Sequence, residues 1–329
     1  MLKSGMVMLF GILILVRGIL AQNPDLMLSS AERDSILKHY NRLFPLLGKK
    51  VIEKGFDLPY PYGANIIYFY MNQGIDINNI QLSLGDNQLK QIDFIQFGDN
   101  ETVVNTVNAR FDFWLLPFLN LYGLFGKGWS TTTVQPQIVL PDQTIPFESS
   151  VSQSGLYYGL GFTFAMGLKQ NWISLDMNWT WTDLELLEEP LKARVTGIRY
   201  GRTFRLRKQQ RLAVWVGAMH QKFTTETYGS IYLKDALPGD VIDNINNIPN
   251  QPGWNELPQW KKDLILEFID AINNRWDSAR INYGLDKGPS SPWNMIIGCN
   301  YEHNKHWHFR VEVGLIQRYS LLLNLNYRF

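Results

Sequence analysis

Sulfur and net charge are both scarce in this chain. Its 329 residues include one cysteine, Cys299, so no internal disulfide can form. The 31 basic and 30 acidic side chains leave a formal charge of +1, and near-neutrality removes the electrostatic argument for a nucleic acid or another polyanionic partner. After residue 21 no apolar run approaches the roughly 20 residues that a membrane-spanning helix needs. Walker-type and dinucleotide-binding glycine patterns are missing as well. Gly123, Gly126 and Gly128 sit in an aromatic stretch, where glycine eases strand curvature.

The one apolar block is N-terminal. Lys3 precedes the run Met6 to Val16, Arg17 ends it, and Ala21-Gln22 offers a small residue for cleavage. A run of this length with a basic start is the pattern of a secretory signal peptide over residues 1–21, too short for a span. No cysteine follows the run, which argues against a lipid-anchored lipoprotein. Removing Lys3 and Arg17 leaves 29 basic against 30 acidic residues.

Aromatics, by contrast, are abundant, with 18 Phe, 15 Tyr and 11 Trp. They fall into alternation rather than blocks. Leu156, Tyr158, Leu160, Phe162, Phe164, Met166 and Leu168 oppose Gly155, Tyr157, Gly159, Gly161, Thr163, Ala165 and Gly167. Ile173, Leu175, Met177, Trp179 and Trp181 oppose Ser174, Asp176, Asn178, Thr180 and Thr182, and Trp307 to Leu315 opposes His308, Arg310, Glu312 and Gly314. A period of two with one large apolar face fits either a soluble sandwich or a lipid wall. The length of the segments and the short turns joining them favour the wall.

The chain ends on Leu321, Leu323, Leu325, Tyr327 and Phe329 alternating with Leu322, Asn324, Asn326 and Arg328. This closing strand resembles the last strand of a Gram-negative outer-membrane β-barrel, in which a terminal aromatic serves as an assembly signal; here that role would fall to Tyr327 and Phe329. The resemblance is to the class, carried by the leader, the alternation, the aromatics and the last residue, and no functional subfamily matches. It implies an all-β fold, a transmembrane antiparallel up-and-down barrel, in the outer membrane. It also implies contact with outer-membrane lipid and lipopolysaccharide, and with the barrel-assembly machinery during biogenesis.

Nine strands are expected over residues 102–114, 117–131, 153–169, 172–186, 190–206, 210–226, 293–303, 306–316 and 319–329. Three further candidates, 65–73, 79–84 and 91–97, bring the count to about 12 within a range of 10 to 14; with only one of them in the wall it is ten. Short connections near Leu116-Pro117, Gln170-Asn171, Lys208-Gln209 and His303 to Lys305 alternate with long ones over 134–152 and 229–292, the barrel pattern of short periplasmic turns and long outer loops. The expected layout is a signal peptide at 1–21, a periplasmic segment with a short helix at 22–61, and a barrel at 62–329 that includes a helical extracellular insertion at 229–292.

Ser29 and Glu32 have capping-box spacing ahead of the N-terminal helix. In the insertion, Leu264, Ile265, Phe268, Ile269 and Ile272 form one helical stripe. That stripe must be covered, by the barrel mouth as a lid or by a partner.

Candidate chemistry is sparse. No His stands beside a Ser as a surface lipid hydrolase would require, and the acids Asp183, Glu185, Glu188 and Glu189 have no His next to them. His303, His306 and His308 surround a turn and read as solvated rather than as a metal site, so neither a metal nor another cofactor is expected. The polar faces point Asp176, Asn178, Arg199, Arg205, Asn300, Glu302, Arg310, Glu312, Asn324 and Asn326 into the lumen. Mixed charges there must pair or be hydrated. The favoured expectation is a narrow or gated channel for small polar or amphipathic solutes. A structural or surface-interaction barrel with a filled lumen, and a lipid-modifying hydrolase, are the alternatives.

Overall fold

The computed structural model describes residues 27–85, 88–168, 170–207, 209–224 and 226–329; the expected signal peptide lies outside them. Two short helices, α1 (Ser30–Lys38) and α2 (Gly48–Glu53), lead into β1 (Tyr62–Leu84), β2 (Lys90–Ile92), β3 (Ile95–Phe97), β4 (Glu101–Leu116) and β5 (Leu119–Val134). Then come β6 (Pro136–Val139), β7 (Thr144–Pro146), β8 (Ser149–Leu168), β9 (Asn171–Leu184), β10 (Leu191–Arg207), β11 (Gln210–Phe223) and β12 (Glu226–Tyr232). A helical stretch carries α3 (Leu233–Ala236), α4 (Ile242–Asn246) and α5 (Gln259–Asn274), followed by β13 (Arg280–Pro289), β14 (Trp293–Glu302), β15 (Trp307–Leu315) and β16 (Arg318–Arg328).

Ten of these strands close into a barrel in the order β1, β4, β5, β8, β9, β10, β11, β14, β15, β16 and back to β1. All pairings are antiparallel. The seam is β1 against β16, registered from Gly63 opposite Arg328 to Gln73 opposite Arg318. Closure leaves no free edge in the wall, which a membrane demands because unpaired backbone groups find no partner in hydrocarbon.

The wall therefore has ten strands, not the twelve favoured from sequence. Segments 65–73 and 79–84 are the two halves of the single strand β1, and 91–97 supplies β2 and β3 outside the wall. The interruption between the two halves is a bulge between Ile77 and Asn79. It shifts the alternation by one residue, so that Ile67, Met71 and Ile75 face into the barrel while Ile80 and Leu84 are buried in a second core above it.

The outward face is apolar all round. Phe111, Phe125, Leu160, Val216, Ile297 and Phe309 are each more than a third exposed, which is costly in water and neutral in lipid. Tyr62, Phe118, Trp307, Tyr327 and Phe329 gather at the short-turn end, and Trp129, Tyr158, Trp293 and Tyr319 at the other. From Tyr319 to Phe329 is about 33 Å of strand, or roughly 25 Å of height at a tilt near 40°, the height of a lipid-facing band flanked by aromatic girdles.

The connections sort by end. β4 and β5, β8 and β9, β10 and β11, and β14 and β15 are joined by short connections at the end where β1 enters and β16 leaves. At the opposite end, 85–100, 135–148 and 224–292 are long, and 185–190 and 316–317 are short.

α1 is capped as its sequence implies: Glu32 N donates to Ser29 Oγ at 3.3 Å and Ser29 N to Glu32 Oε2 at 2.9 Å. None of its residues is buried, Ile36 and Leu37 being half-buried, and it ends at Lys38 with His39 as its C-cap. Leu46 N donates to Leu115 O, and Asp57 pairs with Arg211 and, at 2.9 Å, with Lys305. The N-terminal segment is thus fastened to the short-turn rim.

Candidate functional site

The barrel interior has a closed lower half and a hollow upper half. Near the short-turn end, Asp112 accepts from Arg328 Nη1 at 3.0 Å, Asn65 Nδ2 at 2.9 Å and Asn120 Nδ2 at 2.7 Å. Asn324 Nδ2 donates to Asn65 Oδ1, and Arg328 Nε reaches the Tyr60 carbonyl of the entering chain. Every carboxylate lone pair so engaged keeps the charge affordable in a dry interior.

One layer up lies a second network. Arg199 makes a two-pronged pair with Glu312, Nε to Oε2 at 2.7 Å and Nη2 to Oε1 at 2.9 Å. Trp215 Nε1 donates to Glu312 Oε2 at 2.8 Å, and Arg310 Nη2 to the same oxygen at 2.9 Å. Across the lumen Asp176 accepts from Tyr122 Oη at 3.1 Å and Thr163 Oγ1 at 2.6 Å, while Arg110 lies 3.7 Å from the centre of the Tyr122 ring. Trp215 fits only because Gly298 lies opposite: a Cβ there would stand 2.5 Å from its Cζ2. These side chains form a floor across the barrel.

Above the floor is a cavity of about 290 Å³. Its wall carries Arg110, Arg199, Lys287, Arg310 and Arg318 against only Asp176 and Glu312, an excess of three positive charges. Arg318 is 1 % exposed; Nη1 reaches Gln73 Oε1 at 3.2 Å and the Gln221 amide oxygen, while Nε and Nη2 have no partner among the described residues.

A cap sits on the long-loop end. Upper β1 pairs with β13, β13 with β12, and β2 with β1, while β3, β6 and β7 form a small separate sheet. The α5 stripe is packed into the cap core: Leu264, Ile265 and Ile272 are buried and Phe268 and Ile269 partly so, beside Leu233, Ile248 and Phe94. Within the cap is an apolar chamber of about 240 Å³, lined by Ile80, Phe94, Ile138, Leu264 and Ile272 among others. Thr132, Gln153 and Lys287 line both this chamber and the lumen cavity, so the two spaces adjoin there.

Of the residues expected inside, Asp176, Asn178, Arg199, Arg310, Glu312 and Asn324 line the cavity above the floor. Glu302 and Asn300 lie on the same face of β14 as the buried Asn294 and Ile296, and Asn326 lies on the face of β16 shared with buried Arg328. Arg205 differs: it is exposed, near the bulge that ends β10. Tyr327 and Phe329 are exposed on the outer face, with ring centroids 6.3 Å apart. His306 Nδ1 pairs with the Arg328 carbonyl at 2.7 Å and its ring stacks on Tyr327. Among the described residues no group of three His, Cys, Asp or Glu side chains is placed to hold a metal.

Sequence reasoning missed Asp112, Asn65, Arg110, Tyr122, Arg318 and Lys287. For Asp112 and Arg110 a signal existed, since Asn108, Arg110 and Asp112 alternate with Val107, Ala109 and Phe111. Arg318 reads as part of a turn, and Lys287 lies in an insertion whose strands carry little alternation.

No family model and no curated protein matches the chain. Among solved structures it is similar to the outer membrane protein OprG from Pseudomonas aeruginosa, at 9% identity and a TM-score of 0.36, over 83% of this chain and 100% of that one. The translocator domain of the autotransporter NalP from Neisseria meningitidis matches at 11% identity and 0.34, over 85% and 92%. The Ralstonia pickettii toluene transporter TbuX matches at 8% and 0.30, over 83% and 90%. No residue role is carried over from these. By its own strand pairing and lipid-suited belt, the chain has the architecture of an outer-membrane β-barrel protein, with no narrower family indicated.

Proposed function

We propose that the protein is a gated uptake barrel for small amphipathic solutes, set in the outer membrane with its short turns in the periplasm and its cap outside the cell. One observation carries this reading: an apolar chamber in the cap adjoins a polar, cationic cavity in the lumen, the two sharing Thr132, Gln153 and Lys287 as lining, above a floor of paired charges. A purely structural barrel has no use for two adjoining cavities, because each void forfeits packing contacts that a side chain would supply. The floor is the gate in this scheme. Its members are joined by charge-assisted hydrogen bonds rather than by apolar packing, and such contacts can be exchanged for bonds to water or to a polar solute at modest net cost. Outer-membrane lipid, lipopolysaccharide and the barrel-assembly machinery are its proposed partners.

The test is flux through the full chain reconstituted in liposomes and planar bilayers. Removing the three charges of the cluster at once, in the triple variant Arg199→Ala, Arg310→Ala and Glu312→Ala, avoids stranding one of them, since both arginines pair with Glu312. Wild type is expected to pass small amphipathic solutes slowly, and the triple variant to raise flux and conductance by about tenfold. Absence of flux above protein-free vesicles in both proteins returns the reading to a filled structural barrel.

A further inference from the structure

Lys287 is the sole charged residue lining the apolar chamber among the described residues. It lies on β13 opposite Ile77, above the ten-strand wall. It is half-buried, makes no ion pair or side-chain hydrogen bond with any described residue, and its desolvation pulls its ammonium below the ordinary lysine pKa. A cation in that setting is expensive, and Leu or Met would fill the same space without the penalty. The position calls for an anion that arrives from outside the chain.

The cavity below supplies a second, independent pointer. Arg318 registers with Gln73 on β1, and Lys287 with Ile77, so the two cations stand about 13 Å apart along that strand at about 3.3 Å per residue. Among the described residues Arg318 also has no carboxylate partner and keeps two guanidinium nitrogens free of protein acceptors. Positive groups thus succeed one another from the throat of the chamber toward the floor, on β13 and β16, each registered against β1. The chamber and the cavity together fall in the roughly 300–1,000 Å³ range of small-molecule sites.

We propose that the chamber and Lys287 form a binding site for a single-chain amphiphile with an anionic head, of the class of medium-chain alkyl carboxylates. The alkyl chain occupies the apolar chamber, and the carboxylate sits on the Lys287 ammonium at the throat, pointed at Arg318. The orientation follows from the walls: apolar above, cationic below. This deepens the uptake reading and rests on it, since it names the solute that the barrel would admit.

Binding is read by calorimetry on the full chain in phosphatidylcholine nanodiscs, with empty nanodiscs as the blank. The probes are decanoate, decanol and decyltrimethylammonium, which share a tail and differ in head charge. Wild type is expected to bind decanoate saturably, decanol more weakly and the cation weakest. Lys287→Met is expected to lower decanoate affinity about tenfold or more, the loss of one charge-assisted hydrogen bond, and to leave decanol unchanged; Lys287→Arg is expected to retain most of the decanoate affinity. Equal binding of decanoate and decanol by wild type, an unchanged decanoate affinity in Lys287→Met, or no saturable binding of any probe overturns the proposal. Failure here leaves flux through the barrel intact as a separate result, whereas decanoate binding without flux overturns the uptake reading and keeps the site.

Discussion

Glu312 and Lys287 are both interior charges, and their surroundings treat them in opposite ways. Glu312 receives Arg199, Arg310 and Trp215, so its desolvation is offset by three donors, and removing any one of them strands the others. Lys287 has no such compensation, and its cost is carried by the rest of the fold. That cost has a pH signature. Burial depresses the Lys287 pKa in the folded protein, so between the folded value and about 10.4 the unfolded chain binds more protons, and stability rises with pH across that window. Below the window both states are protonated and the penalty is complete. Lys287→Met removes the penalty, and the variant is expected to melt higher than wild type near pH 7, with a gap that narrows as pH approaches about 10. Paired thermal melts from pH 7 to 10.5 check this. A variant that melts lower at neutral pH, or a gap that widens with pH, would mean that an acceptor already satisfies the ammonium.

At the scale of elements, the wall was legible and the cap was not. The wall strands from β4 onward fall within a few residues of their expected bounds, because a two-sided environment of lipid and lumen imprints itself on every second side chain, whereas β12 and β13 lie mostly in the segment expected to be a helical insertion. The large residues Leu156 to Met166 and the small ones facing them show this directly. The α5 stripe was legible for the same reason, with a different period. What the sequence concealed was assembly: β2, β3, β6 and β7 are three or four residues long, too short for a period to register, and β3 finds its partner β6 only across the intervening wall strands β4 and β5. The floor was half visible, since facing two charges inward does not reveal which pairs meet. The stripe also supports a prediction about independence. Ile272 is 5 % exposed in the cap core, which is distinct from the barrel wall. Ile272→Asp buries an unpaired carboxylate, a cost of several kcal/mol, and is expected to loosen the cap while the wall stays closed. Limited proteolysis should then cut within 229–279 in the variant and not in wild type, and the unheated protein should keep its compact gel mobility. Loss of that mobility would show that the wall needs the cap in order to close.

For the whole molecule, near-zero net charge conceals a separation of charge. The lumen cavity holds five cations against two carboxylates, while the chain as a whole carries +1. A lumen with low-dielectric walls focuses that excess on whatever enters, so any current through the barrel is expected to be anion-selective. Bilayers held across a salt gradient measure this as the sign of the reversal potential, and a cation-selective sign would show that Asp176 and Glu312 dominate the path. The 23-residue β1 has a consequence of another kind. Its lower part is zipped between β16 and β4, and its upper part between β13 and β2. A slip of one residue at the seam would turn the outward Tyr68 into the lumen and the inward Ile67 toward lipid, and it would drag Ile80 and Leu84 out of the cap core in the same stroke. Barrel and cap therefore proofread one another during assembly: a misregistered seam is penalised twice, once by lipid and once by water.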